Sequence, residues 1–235
     1  YAKQLAASIE PDQATPSKKL DAVVDQPKGK DTTHLSVLDT EGNRVSATLS
    51  INFPFGSGFV PRDTGVVLNN EMDDFSAKPG VPNAYGLIGS EANSIAPGKR
   101  PLSSMTPTFI EWDDRVALLG TPGGSRIISM VMLGVIEALE GKPPKAWVER
   151  TRFHHQYLPD VVEAEPSFIG SKAGKSLLLR GHELESTGRR YGDMQALLWN
   201  RKSGGVQAAS DPRGMGLALS FSPEAEQESE AGPRE

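Results

Sequence analysis

Between Thr32 and Phe53 the side chains alternate in a way that leaves this chain few folds to choose from. In TTHLSVLD the apolar or β-branched residues Thr33, Leu35 and Val37 alternate with Thr32, His34 and Ser36. In RVSATLSINF the positions Val45, Ala47, Leu49, Ile51 and Phe53 alternate with Ser46, Thr48, Ser50 and Asn52. A period of two marks a half-buried β-strand, and TEGN, Thr40 to Asn43, supplies turn residues between the two runs. Paired strands must carry their apolar side chains on one face, since a slip of one residue sends the whole set to the other side. Parity and the short loop together predict a hairpin with Thr32 opposite Ser50. Asn52 then lies one step further along the same polar face, and Thr33 points to the apolar side.

The chain has 235 residues, enough for one large domain or two small ones that bury about 70% of the unfolded surface. Its formal net charge is −5. Five glutamates between Glu224 and Glu235, against Arg234 alone, give residues 222–235 a charge of −4 and leave −1 for the rest. A near-neutral body with no run of Lys or Arg lacks the electrostatic footprint of a nucleic-acid binder. The absence of cysteine excludes disulfide scaffolds, thiolate metal centres and a thiol nucleophile. The most apolar stretch, from Ile127, is about half of a membrane span and reads as a buried helix. The opening YAKQLAASIEPDQ shows no signal region and reads as a piece of a longer product.

Residues 1–11 have the spacing of a helix end, and Pro11 to Asp31, with its prolines and charges, reads as an exposed connector. TPTFIEW and RVALLG around Asp113 and Asp114 predict a second hairpin, running through TPGGSR into a helix from about Ser125 to Glu140. PPKAWVERT suggests a short helix, RFHHQYL and VVEAEP strands, and KAGKSLLLRGHEL a helix. DMQALLWN and GVQAAS suggest a last hairpin. The tail SPEAEQESEAGPRE has the composition of a disordered segment.

The hairpin register gathers Thr32, Ser50 and Asn52 into a polar cluster. A cut between Asp31 and Thr32 would place a free α-amine, with an ordinary pKa near ~7.7–8.0, beside the Thr32 hydroxyl, which is an N-terminal-nucleophile site. GTPGGSR lacks the Lys and Ser/Thr of a P-loop, so phosphate binding is not indicated and a tight strand-to-helix turn is the plain reading. In NNEMDDF, Glu71 and Asp74 face one way if the segment is a helical turn. No His or further carboxylate lies at ligand spacing nearby, so a metal is the least favoured occupant. Ser103 and Ser104 read as turn residues, and Tyr85 sits in a Pro- and Gly-rich loop. His154 and His155, adjacent on a strand, point to opposite faces and fit structural roles.

Five segments then carry a resemblance. TTHLSVLD, LNNEMDDFSAKPGVPNAYGL, KRPLSSMTPT, GTPGGSRI and RFHHQYLPD, in this order, resemble the small subunit of the bacterial γ-glutamyltranspeptidases, or glutathione hydrolases, from Thr32 to about Arg213. Residues 1–31 resemble the end of that family's large subunit. The resemblance implies an α+β fold, the four-layer αββα sandwich of N-terminal-nucleophile hydrolases. It implies autocatalytic cleavage before Thr32 and a division into residues 1–31, a catalytic unit 32–221 and a tail 222–235. Thr32 would be the nucleophile, Ser50 its hydroxyl neighbour, and Gly123 and Gly124 the oxyanion donors. Asn52, Glu71 and Asp74 would hold a γ-glutamyl α-ammonium, Ser103 and Ser104 its carboxylate, and Tyr85 a lid. It further implies no metal or organic cofactor, a large subunit from the same precursor as partner, and a periplasmic or secreted location. The donors would be glutathione and other γ-glutamyl amides, with water, amino acids or dipeptides as acceptors. A related glutaryl or cephalosporin acylase, or an inactive assembly fragment, are the alternatives.

Overall fold

The computed structural model describes residues 2–7, 9–16, 32–76, 78, 80–81, 89–157 and 159–221. The expectations for Tyr85, for the connector from residue 17 to 31 and for the tail from 222 lie outside the described residues.

A short helix, α1 (Ala2–Ala7), precedes the hairpin of β1 (Thr32–Leu38) and β2 (Arg44–Ser50). The hairpin pairs Thr32 with Ser50 and His34 with Thr48. Its turn is built by Asp39, whose carboxylate accepts the N–H groups of Glu41 at 2.9 Å and Asn43 at 2.8 Å. Gly42 supplies the left-handed φ of 86° that the turn needs.

At the centre lies an antiparallel sheet in the order β3 (Thr108–Trp112), β4 (Arg115–Gly120), β8 (Gln195–Asn200) and β9 (Val206–Ser210). β4 is buried on both faces. Ala117 and Leu119 pack with Ile127, Met130, Trp147 and Met194 beneath α2 (Arg126–Leu139) and α3 (Pro144–Glu149). Val116 and Leu118, on the opposite side of the pleat, pack with Leu197, Leu38 and Trp199 toward the hairpin. The layers are therefore helices, sheet and hairpin. To one side, β5 (Phe153–His154) and β7 (Leu184–Ser186) flank β6 (Val162–Ala164), with α4 (Pro166–Ile169) and α5 (Lys172–Leu179) between β6 and β7 in the chain.

The hairpin turns its polar face inward. His34 is buried against Gly120, while Leu35, Val37, Val45 and Leu49 are between 41% and 53% exposed. The inward seam is polar but satisfied, because the His34 ring reaches Thr48 Oγ1 at 2.8 Å, Ser36 Oγ at 3.2 Å and Ser46 Oγ at 3.4 Å.

Several element boundaries differ from the sequence expectation. β2 ends at Ser50 instead of continuing to Phe53, because Asn52 adopts φ 72° and its N–H bonds to Ser50 Oγ at 2.9 Å. Asn tolerates this left-handed conformation better than most residues. The RFHHQYL strand shrinks to two residues and the VVEAEP strand to three. α5 stops at Leu179, where Gly181 takes φ 91° and its N–H caps Leu178 O, so His182 and Glu183 lead into β7, which begins at Leu184. α2 is buried on one side only, and Ile128, Met132, Ile136 and Leu139 face outward.

Candidate active site

Thr32 is the first residue of β1, and the hairpin register sets its hydroxyl against that of Ser50, with Oγ to Oγ 2.8 Å. Ser50 Oγ already accepts the Asn52 N–H, so it retains one donor and one acceptor function for Thr32. A hydroxyl placed in this way can donate to Thr32 Oγ when the latter becomes electron-rich.

Asn52 leaves the strand at this point, and its Nδ2 donates to Asn70 O at 3.1 Å. Asn70 in turn accepts the Phe53 N–H on Oδ1 at 3.0 Å and donates from Nδ2 to Asp73 Oδ2 at 2.7 Å. The hairpin end is thereby fastened to the single helical turn Glu71–Asp74. The role of Asn70 was not visible in sequence, since a second asparagine beside Asn69 carries no positional signal.

On that turn two carboxylates converge. The Asp74 carboxyl is pushed up to about 7 by burial, by the charge and hydrogen bond of Glu71, and by the charge of Asp73. Glu71 Oε1 is buried without a hydrogen-bond partner. Such a pair is unfavourable until a cation with several donors enters, and an alkylammonium meets that description.

Asn93 continues the scaffold. Its Nδ2 donates to Asp74 O at 2.7 Å, and its Oδ1 accepts the Leu102 N–H at 2.9 Å, which draws the segment carrying Ser103 and Ser104 toward the acidic turn. Ser103 Oγ accepts the Met105 N–H at 3.1 Å, the turn role read from sequence, and neither serine lines the cleft beside Thr32.

Gly123 does line that cleft, together with Thr32 and Pro122. Gly123 and Gly124 have φ values of 149° and 59°, and a Cβ on Gly123 would press on Met130. The left-handed pair turns the chain from β4 into α2. Gly124 stands outside the cleft lining.

The remaining histidines hold the frame. Burial pushes the His34 imidazole down to about 4, so the ring is neutral and acts as a hydrogen-bonding wedge. His154 is buried between Ser129 Oγ, at 2.6 Å, and Gln156 Oε1, at 3.0 Å, and burial lowers its pKa. His155 points the other way, to Asp160. Among the described residues no group of three or more His, Asp or Glu side chains could hold a metal ion.

The sequence profile of the γ-glutamyltranspeptidase family matches residues 1–221. The chain belongs to the γ-glutamyltranspeptidase family. It is 41% identical over 227 residues to the glutathione hydrolase proenzyme of Pseudomonas aeruginosa, covering 95% of this chain and 40% of that protein. It is 42% identical over 216 residues to the Escherichia coli K12 glutathione hydrolase proenzyme, covering 91% of this chain and 37% of that protein. The chain thus spans about two fifths of the length of these curated relatives. The γ-glutamyltranspeptidase of Pseudomonas nitroreducens complexed with L-DON superposes with a TM-score of 0.73 at 43% identity, over 81% of this chain and all of the matched chain. Cephalosporin acylase from Bacillus halodurans, at 23% identity and a TM-score of 0.67, shares the fold. That α+β fold is the αββα sandwich of N-terminal-nucleophile hydrolases, and the described residues of this chain form a helical layer and two sheet layers of it.

One group of buried charges escaped the sequence reading. Arg152 pairs with Asp211 at 2.5 Å, and Arg213 pairs with Glu165 at 2.6 Å and with Asp211 at 3.1 Å, all with side chains at most 2% exposed. The four residues join the strand β5 region, α4 and the segment after β9. Their separations in the chain give no local pattern that could have announced them.

Proposed function

We propose that this chain carries the nucleophile of a γ-glutamyltransferase or glutathione hydrolase that cleaves itself before Thr32, with residues 1–31 ending one subunit, 32–221 forming the catalytic one and 222–235 an acidic tail. The observation that carries the reading is the conjunction of the Thr32–Ser50 hydroxyl pair with an acidic pair that lacks a counter-ion among the described residues, the two linked through Asn52 and Asn70.

In the precursor, Thr32 Oγ attacks the carbonyl of the preceding peptide bond. An N-to-O acyl shift breaks the C–N bond and gives an ester with a free Thr32 α-amine, and hydrolysis of that ester releases the preceding carboxylate and restores the Thr32 hydroxyl. In turnover the α-amine takes the hydroxyl proton while Oγ attacks the γ-carbonyl of the donor. Ser50 donates to Oγ, and the N–H groups of Gly123 and Gly124 stabilise the oxyanion, a kind of contact worth about 10²–10³ in rate. The amine product leaves with the proton, and water or another amine resolves the acyl-threonine.

Glu71 and Asp74 hold the donor ammonium with Asn52, and Ser103 and Ser104 its carboxylate, with a large subunit supplying the missing cationic partner. Tyr85 would close over the donor. No cofactor is needed, because nucleophile and base reside on one residue. The acidic pair favours γ-glutamyl donors over the glutaryl side chains of the acylases, which carry no amine. An exported location, periplasmic or secreted, belongs to the same reading. Among the described residues no helix is long and apolar enough to cross a membrane.

The test is made on the precursor expressed with its upstream polypeptide. N-terminal sequencing of the smaller product should read Thr-Thr-His-Leu-Ser, and Thr32→Ala should abolish both cleavage and turnover whereas Thr33→Ala spares them. Any other start overturns the assignment.

A further inference from the structure

Beside Thr32 lies a cleft of about 260 Å³ whose lining includes none of Ser50, Asn52, Glu71 and Asp74. Of the residues assigned to the reaction, it is therefore lined only by Thr32 and Gly123. If the glutamyl part of a donor points toward the acidic turn, the cleft is where the other side of the scissile amide must lie. The volume is just below the range of about 300–1,000 Å³ typical for drug-sized ligands, which suits a smaller one.

The cleft is lined by four arginines and one carboxylate. Arg126 is engaged by Glu163, with its guanidinium 5.2 Å from the Tyr191 ring centre, and Arg213 by Glu165 and Asp211. Arg189 and Arg190 are exposed, and neither has an ion-pair partner among the described residues. The carboxylate is Asp193, which accepts from Gln195 Nε2 at 2.8 Å and whose pKa is raised by burial and by the charge of Asp211. The loop that presents the two free guanidiniums is pinned on both sides. Thr187 Oγ1 donates to Arg189 O at 2.6 Å, and the Tyr191 N–H donates to Glu165 Oε1 at 3.1 Å.

We propose that Arg189 and Arg190 bind the carboxylate of the amine that leaves or enters during acyl transfer, and so set how an amine carrying a carboxylate is placed at Thr32. The inference rests on the γ-glutamyl reading above. In the second half-reaction such an amine attacks the acyl-threonine carbonyl, the new C–N bond forms, the C–O bond to Thr32 breaks, and the proton lost by the amine returns to Thr32 Oγ. The guanidiniums take no part in these bonds. They set where the amine sits, as charged forks suited to carboxylates.

The experiment uses the autocleaved enzyme made from the precursor with its upstream polypeptide. Glutathione, whose departing dipeptide carries a carboxylate, is compared with γ-glutamyl-p-nitroanilide, whose departing aniline does not. In the Arg189→Gln/Arg190→Gln double variant the ratio of kcat/KM for glutathione to that for the anilide should fall about tenfold, and the double Lys variant should recover most of it. In the unaltered enzyme glycylglycine should be preferred to glycylglycinamide as acceptor by about tenfold at low salt, and the preference should shrink as salt rises. An unchanged ratio in the double variant, or equal use of the two acceptors, overturns the subsite. An enzyme that cleaves itself yet turns over neither γ-glutamyl donor overturns the functional reading beneath it.

Discussion

Asp74 keeps its proton up to about pH 7 because it is half-buried with Glu71 and Asp73 beside it. A charge-assisted hydrogen bond to an ammonium contributes about 1.5–3 kcal/mol, so Asp74→Asn should cost γ-glutamyl donors about ten- to a hundredfold more than glutaryl analogues without the amine. Equal losses on both donors, read from kcat/KM, would make the acidic pair structural. The sign of the pH effect follows from the same residue. The native carboxyl binds its proton where the unfolded one has released it, so the native state holds more protons between about pH 4 and pH 7. Stability therefore falls as pH rises through that window, and the donor KM falls with it because the ionised pair attracts the ammonium. Urea unfolding and donor KM at pH 5.5 and 8 should show both trends, and Asp74→Asn should flatten them. At this scale the sequence disclosed Thr32 and Ser50, because strand parity dictates who faces whom. It did not disclose how Asn70 joins Asn52 to the acidic turn, since that depends on a left-handed residue that ends the strand early.

Among the elements, long and strongly patterned ones were legible: both hairpins, α2 and the β8–β9 pair. The short strand β7 was not, because three residues carry no period; β5 and β6 were read as strands but too long, and the reading of α5 as a helix extended past Leu179, where it stops ahead of Gly181. The hairpin shows why pattern does not decide orientation. Alternation identifies two faces, but which one is covered depends on what packs there. Gly120 makes the inward packing possible, since any Cβ would collide with the His34 ring. Gly120→Ala should therefore cost about 1–3 kcal/mol of stability and slow cleavage before Thr32, both measurable by urea unfolding and intact mass. The buried charges behave differently. Removing one member leaves the others uncompensated, so Asp211→Ala should cost about 3–5 kcal/mol, and a loss below about 1 kcal/mol would mean that water replaces it.

For the whole molecule the bare face of the hairpin, with the outward stripe of α2, sets the behaviour in solution. Apolar surface in contiguous patches drives association, so the 235-residue chain expressed alone should elute as oligomers or precipitate. Co-expression with the upstream polypeptide should give a defined complex active on γ-glutamyl-p-nitroanilide. A monodisperse monomer by light scattering would show that these side chains tolerate water. The cleft beside Thr32 adds a different kind of constraint. One wall opens the domain and another, Arg213 with Gly214, nearly closes it. At a synthesis rate of about 5–20 residues per second, roughly 10–40 s separate the emergence of the two walls from a ribosome. Until the second arrives, Thr32 has no finished surroundings. Under the proposed self-cleavage, this order of synthesis would act as a clock that keeps a nascent chain from cutting itself before that second wall is in place.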